Sequence, residues 1–235
     1  MLKVALLIID IQEDFLPPNG TLVVPNGREV IEQITKLCDL SKYPWLAVAV
    51  TQDWHPPNHT SFASQHGVEP FTDVEFEHPL EEKNACTGKV KTKVQTVWPD
   101  HCVQGTFGAS IEKSIMETYY KLPEELPKIV VQKGCLHDRE YYLCFSDVWK
   151  LHKTDLEDFL LKNDINHVVC VGLAYDFCVL NSAIDSQMSG FSTAVLKNCC
   201  RSVYQDKIAE TEKLYGDAGV ALFESIDEYL TSLKK

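Results

Sequence analysis

A chain of 235 residues, 45% of them apolar, can bury a sizeable core without disulfide staples and falls within the range of one α/β domain. Its formal net charge of −12 denies it the basic face that a nucleic-acid backbone requires. No apolar run approaches the roughly 20 residues needed to span a bilayer, so neither nucleic acid nor membrane is an expected partner.

The opening Met1-Leu2-Lys3-Val4-Ala5-Leu6-Leu7-Ile8-Ile9 has the look of a signal peptide, but Asp10 cuts it short and no small-residue cleavage site follows. It reads as a buried strand, residues 4–9. Further apolar runs at 45–51, 129–132, 168–173 and 193–196, with 220–223 as a sixth, have the continuous β-branched character of strands covered on both faces. Helical patterns fall between them, at 28–40, 110–120, 154–162, 177–189 and 205–215. Thr154 is placed as an N-cap, with Asp155 and Glu157 in the first turn, and Gly190 and Gly216 as C-cap glycines. This alternation predicts a single-domain, doubly wound, Rossmann-like parallel sheet of about six strands with helices on both faces. Two long stretches, 52–105 and 134–153, break the alternation. Their His and aromatic content argues against disorder and for functional loops. The nine cysteines, an odd number without zinc-knuckle spacing, read as reduced thiols of a cytoplasmic protein, with the nucleus or a peroxisome left open.

Ligands of open α/β sheets bind beyond the carboxyl ends of the strands. The polar residues expected there are Asp10 after the first strand, Asp53-Trp54-His55 after the second, Lys133 after the third, and Cys178 shortly after Gly172-Leu173-Ala174. Asp53 and His55, two apart in extended chain, share a face and can point at one metal ion. His101 could supply a third ligand, and His59 or Ser61 a fourth, directly or through water. Three N/O ligands with open positions describe a catalytic site rather than a structural one. Cys178 falls in the first turn of a helix, where the dipole favours thiolate and free N–H groups can hold an oxyanion. Taken singly, each has an ordinary reading: a polar loop, a capping Asp10, a solvated Lys133, a core Cys178. Together Asp10, Lys133 and Cys178 make a proton acceptor, a cation and a nucleophile.

These residues sit in a pattern that resembles the nicotinamidases of the isochorismatase-like hydrolase superfamily, and among them the yeast-like eukaryotic members. Ile8-Ile9-Asp10-Ile11-Gln12-Glu13-Asp14-Phe15 is similar to the family's D-x-Q-x-D-F start, and Thr51-Gln52-Asp53-Trp54-His55-Pro56 to its T-x-D-W-H-P metal segment. Trp98-Pro99-Asp100-His101-Cys102-Val103 resembles its W-P-x-H-C-V segment, Lys133-Gly134 with Asp138-Arg139-Glu140-Tyr141-Tyr142 its lysine loop, and residues 172–179 its nucleophile turn. The five matches run in family order from residue 8 to 179. The resemblance implies an isochorismatase-like domain over 1–235 and an Asp10–Lys133–Cys178 triad. It also implies a cis peptide between Leu173 and Ala174, and one divalent metal on Asp53, His55 and His101, zinc first with iron or manganese as alternatives.

The implied activity is hydrolysis of nicotinamide to nicotinate and ammonia through a thioester, within NAD salvage. Phe15, Trp98, Tyr142, Leu173 and Ala174 would bind the substrate. Pyrazinamide-like analogues and a homo-oligomer stay open, since nothing in the sequence marks pocket detail or an interface. A carbamoyl- or ureido-cleaving relative, a redox thiol enzyme and a non-catalytic binding protein are the competing readings. The metal residues disfavour the first, the lack of a C-x-x-C motif the second, and the complete triad the third.

Overall fold

Period-two alternation along the buried strands decides which side chains go to which face. In β1 (Val4–Ile9), Val4, Leu6 and Ile8 enter one core, while Ala5, Leu7 and Ile9 enter the other. The computed structural model describes residues 2–234. β1 pairs in parallel with β2 (Ala47–Asp53) on one side and with β6 (His167–Leu173) on the other. β5 (Lys128–Lys133) extends the sheet beyond β2, and β7 (Ser192–Arg201) and β8 (Ala221–Phe223) extend it beyond β6. The order β5-β2-β1-β6-β7-β8 is the expected six-stranded parallel sheet.

The chain leaves β1 toward one edge and later returns beside it with β6, so the strand order reverses at β1. That reversal opens a crevice at the carboxyl ends of the strands. Helices α1 (Glu29–Leu37), α3 (Lys113–Lys121) and α7 (Ile226–Ser232) cover one face through Val30, Ile34, Ile115, Tyr119 and Tyr229. On the other face lie α4 (Leu156–Lys162), α5 (Cys178–Met188) and α6 (Ile208–Asp217), through Leu156, Leu160, Val179, Ala183 and Tyr215. No helix among the described residues is long and apolar enough to cross a membrane.

Three local expectations need correction, and one helix is new. Residues 52–105 are not one irregular loop, for they hold a short α2 (Ala63–His66) and an antiparallel hairpin of β3 (Thr72–Glu77) and β4 (Thr92–Val97). Gly216 is not a cap, because α6 runs through it and the left-handed glycine that ends the turn is Gly219, at φ +78°. The N-cap position of α4 is Asp155, while Thr154 accepts from the Leu156 N–H at 3.3 Å. α7, which the patterning did not foresee, begins at a capping Ser225 whose hydroxyl accepts from the Glu228 N–H.

Candidate active site

Asp10 follows the last residue of β1, Lys133 ends β5, and Cys178 opens α5, so three strand ends deliver them to one crevice. All three are buried. The Lys133 ammonium lies 2.8 Å from Asp10 Oδ2 and 3.6 Å from Cys178 Sγ, and it also pairs with Asp53. Ligand atoms of Asp10, Asp53 and Cys178 all fall within 4.8 Å of one another. Burial alone would strip the Lys133 proton, but Asp10 and Asp53 outweigh it and hold the group as a cation. Burial pushes the Asp10 carboxyl above the ordinary carboxylate range, against the pull of Lys133. That is the environment of a carboxylate able to take up a proton. The Cys178 thiol departs from expectation. It does begin a helix, yet burial drives it well above the usual thiol range and Lys133 only partly offsets this. Desolvation exceeds the dipole, so the thiol needs a neighbouring base to become a nucleophile.

Asp53, His55 and His101 form a second buried cluster, their ligand atoms again within 4.8 Å of one another. Each histidine turns its Nδ1 to a backbone carbonyl, His55 to Gly134 at 3.2 Å and His101 to Pro99 at 2.8 Å. Those contacts favour a proton on Nδ1 and leave both Nε2 lone pairs for a metal ion. Burial, with the His55 charge added, pushes His101 down to about 4, which keeps that lone pair free at neutral pH. For His55, the Asp53 carboxylate outweighs burial and raises its hold on a proton, so the protein alone attracts positive charge at this point. One carboxylate and two imidazoles, buried and convergent, fit a divalent ion of the zinc, iron or manganese type. Gly134, at φ +75°, lies against the His55 ring, and a Cβ there would overlap it. His59 stands outside the cluster although its ring centroid is 4.0 Å from that of His55. Its Nδ1 accepts from the Ser61 N–H at 3.2 Å, which occupies that nitrogen.

Above both clusters a cavity is lined by Phe15, Trp98, Tyr142, Phe177 and Ala174. Asp53, His101 and Cys178 also line it. Phe15, Trp98, Tyr142 and Ala174, four of the five residues expected to bind a substrate, thus lie together on one cavity. Leu173 does not: it is fully buried in the core, with its side chain beside Gly27, and is not among the lining residues. The Leu173–Ala174 peptide is cis.

The Saccharomyces cerevisiae nicotinamidase is 36% identical over 202 residues, covering 86% of this chain and 89% of that protein. The Escherichia coli nicotinamidase is 35% identical over 204 residues, with 85% and 83% covered. The chain belongs to the nicotinamidase family. Residues 123–215, which include Lys133 and Cys178, match the isochorismatase domain family. The crystal structure of the yeast nicotinamidase bound to the inhibitor nicotinaldehyde superposes with a TM-score of 0.86 at 32% identity, covering 94% of this chain and 100% of that one. A pyrazinamidase of Pyrococcus horikoshii in complex with zinc gives 0.69 at 25% identity, covering 94% and 98%.

Several residues around this nicotinamidase-type site were not singled out from sequence. Gln12 clamps the end of β2: its amide nitrogen donates to Asp53 O at 2.8 Å, and its carbonyl accepts from Asp53 N–H at 2.7 Å. Asp14 accepts from the Cys102 N–H at 2.7 Å and so fixes the residue after His101. Glu140 is buried against the Ser61 hydroxyl and lines the cavity. The spacing D-x-Q-x-D around Asp10 was visible, but whether its members face a ligand or the backbone depends on long-range pairing.

Proposed function

We propose that this protein hydrolyses nicotinamide to nicotinate and ammonia, with Cys178 as the nucleophile. The observation that carries this reading is an aromatic-walled cavity lined by Cys178, Asp53 and His101, with the Asp10 carboxylate, of raised pKa, buried within 4.8 Å of the Cys178 thiol and Asp53 and with His55 completing a metal-type cluster. The aromatic ring would lie among Phe15, Trp98 and Tyr142. A divalent ion held by Asp53, His55 and His101 would supply a Lewis-acidic anchor for the ring nitrogen, orienting the carboxamide toward the thiol.

Asp10 takes the Cys178 proton as sulfur bonds to the amide carbon. The carbonyl π pair moves onto oxygen, where the Ala174 and Cys178 N–H groups would stabilise it, each donor contributing roughly 3–4 kcal/mol. As the tetrahedral centre collapses, the C–N bond breaks and Asp10 gives its proton to the departing nitrogen, releasing ammonia. Water, deprotonated by Asp10, then attacks the thioester, and the returning proton restores the thiol. Lys133 stays protonated throughout and compensates the carboxylates of Asp10 and Asp53. The product would feed the rebuilding of pyridine nucleotides. The nine cysteines, all unpaired, support a reducing, cytoplasmic setting. We also propose that residues 1–235 act as one isochorismatase-like domain, because the site draws on β1, β2, β5 and β6 of a single sheet.

The test is capture of the thioester. Acid quenching during turnover of nicotinamide should yield an acyl group on the peptide carrying Cys178. The C178A protein should lose turnover while still binding nicotinamide by calorimetry. Turnover that survives in C178A would remove the covalent route.

A further inference from the structure

We propose that Thr51 is a positioning residue for this reaction: its hydroxyl occupies one oxygen of Asp10, so that the other, Oδ2, is the one presented to the Cys178 thiol. The inference rests on the reading of Asp10 as the proton acceptor of Cys178. Thr51 is fully buried on β2, directly beside the end of β1. Its Oγ1–H donates to Asp10 Oδ1 at 2.6 Å, and the same oxygen accepts from the Asp10 N–H at 3.2 Å. This reciprocal pair ties the main chain and the side chain of Asp10 to one hydroxyl. Asp10 needs the tie, since its φ of +48° is one that residues other than glycine rarely adopt.

The other oxygen faces only the Lys133 ammonium. Lys133 Nζ lies 2.8 Å from Oδ2, but outside hydrogen-bond alignment with it. The ammonium has three hydrogens, and its hydrogen bonds go to Asp53, to the Tyr141 carbonyl at 3.1 Å and to Cys178 Sγ at 3.6 Å. Asp10 Oδ2 is thus a buried carboxylate oxygen that feels a cation and accepts from no donor among the described residues. An oxygen balanced by a cation yet taken up by no second donor keeps a lone pair available, and the arrangement makes chemical sense where that oxygen receives a proton during the reaction. With Oδ1 filled by the Thr51 hydroxyl, the S–H proton passes to Oδ2 and the electron pair left on sulfur forms the C–S bond. Valine is close to threonine in shape, so the β-branched fit of this strand does not require the hydroxyl.

The test compares wild type, T51V, T51S and D10N in two assays. The first is the rate of Cys178 alkylation by iodoacetamide, followed by peptide mass spectrometry, which needs no amide substrate. T51V should fall by roughly 10- to 100-fold, the loss expected for one hydrogen bond to a charged group, toward the D10N rate. T51S should stay close to wild type. In the second assay, with nicotinamide, T51V should lower kcat with KM nearly unchanged, and its bound zinc should equal that of wild type. Alkylation of T51V at the wild-type rate would overturn the proposal. So would equal slowing of T51V and T51S, which would assign the effect to packing of the methyl group. Absence of nicotinamide turnover by the wild type would count against the function alone, because alkylation decides the role of Thr51 separately.

Discussion

Lys133 is a fully buried ammonium flanked by two carboxylates and a thiol, and its removal should be felt in stability as well as in rate. Without it, Asp10 and Asp53 would be two desolvated negative charges in one cavity. Taking one partner from a buried ion pair costs roughly 3–5 kcal/mol, more than the net worth of the pair, because the stranded charge remains. Lys133→Met should therefore lower the unfolding free energy in urea by about that amount and abolish turnover. A variant as stable as wild type would mean that one of the carboxylates is neutral in the native protein. The same reasoning explains why Cys178 is a poor thiolate at rest: its single cation is shared with two carboxylates.

At the level of elements, the strands were readable because both faces of the sheet are covered and the runs are continuously apolar. Val4–Ile9 is buried at every position. The hairpin escaped notice for the opposite reason. Thr72–Glu77 presents one buried side chain, Phe76, among exposed and half-exposed polar neighbours, so its period-two signal is faint. α7 did carry a signal, the S-x-x-E of Ser225 and Glu228, but its apolar face is short. The residues of the two buried clusters were legible because they sit at strand ends in recognisable spacing. Thr51, Gln12 and Glu140 were not, since their roles depend on cross-strand register and on loop closure that residue type alone does not encode. Among the side chains that brace the loop following Glu140 and Tyr142, one makes three bonds to its backbone. Asp147, fully buried, accepts from the N–H groups of Trp149, Leu151 and His152 at 2.7, 2.9 and 2.6 Å. Asp147→Ala would strand these donors, at a cost of roughly 2–3 kcal/mol, and loosen the cavity wall. The expected outcome is a raised KM for nicotinamide and faster proteolytic cutting within residues 134–153. An unchanged cutting rate would show that the loop is held by other contacts.

On the scale of the whole molecule, the site exists only because the sheet closes it. Asp10 and Cys178 come from the two sides of the strand-order reversal, Lys133 from an edge strand, and His101 from the segment following the hairpin. Asp53 belongs to both clusters, accepting from Lys133 on one side and facing His55 on the other, so a metal ion held there would be coupled through one carboxylate to the ionisation of Lys133, Asp10 and Cys178. The most direct measurement is ammonia release from nicotinamide by the purified protein in three states: metal-replete, stripped by chelator, and reloaded with zinc. The account predicts release by the replete protein, its loss on stripping and its return on reloading. No release from metal-replete, folded protein would contradict it.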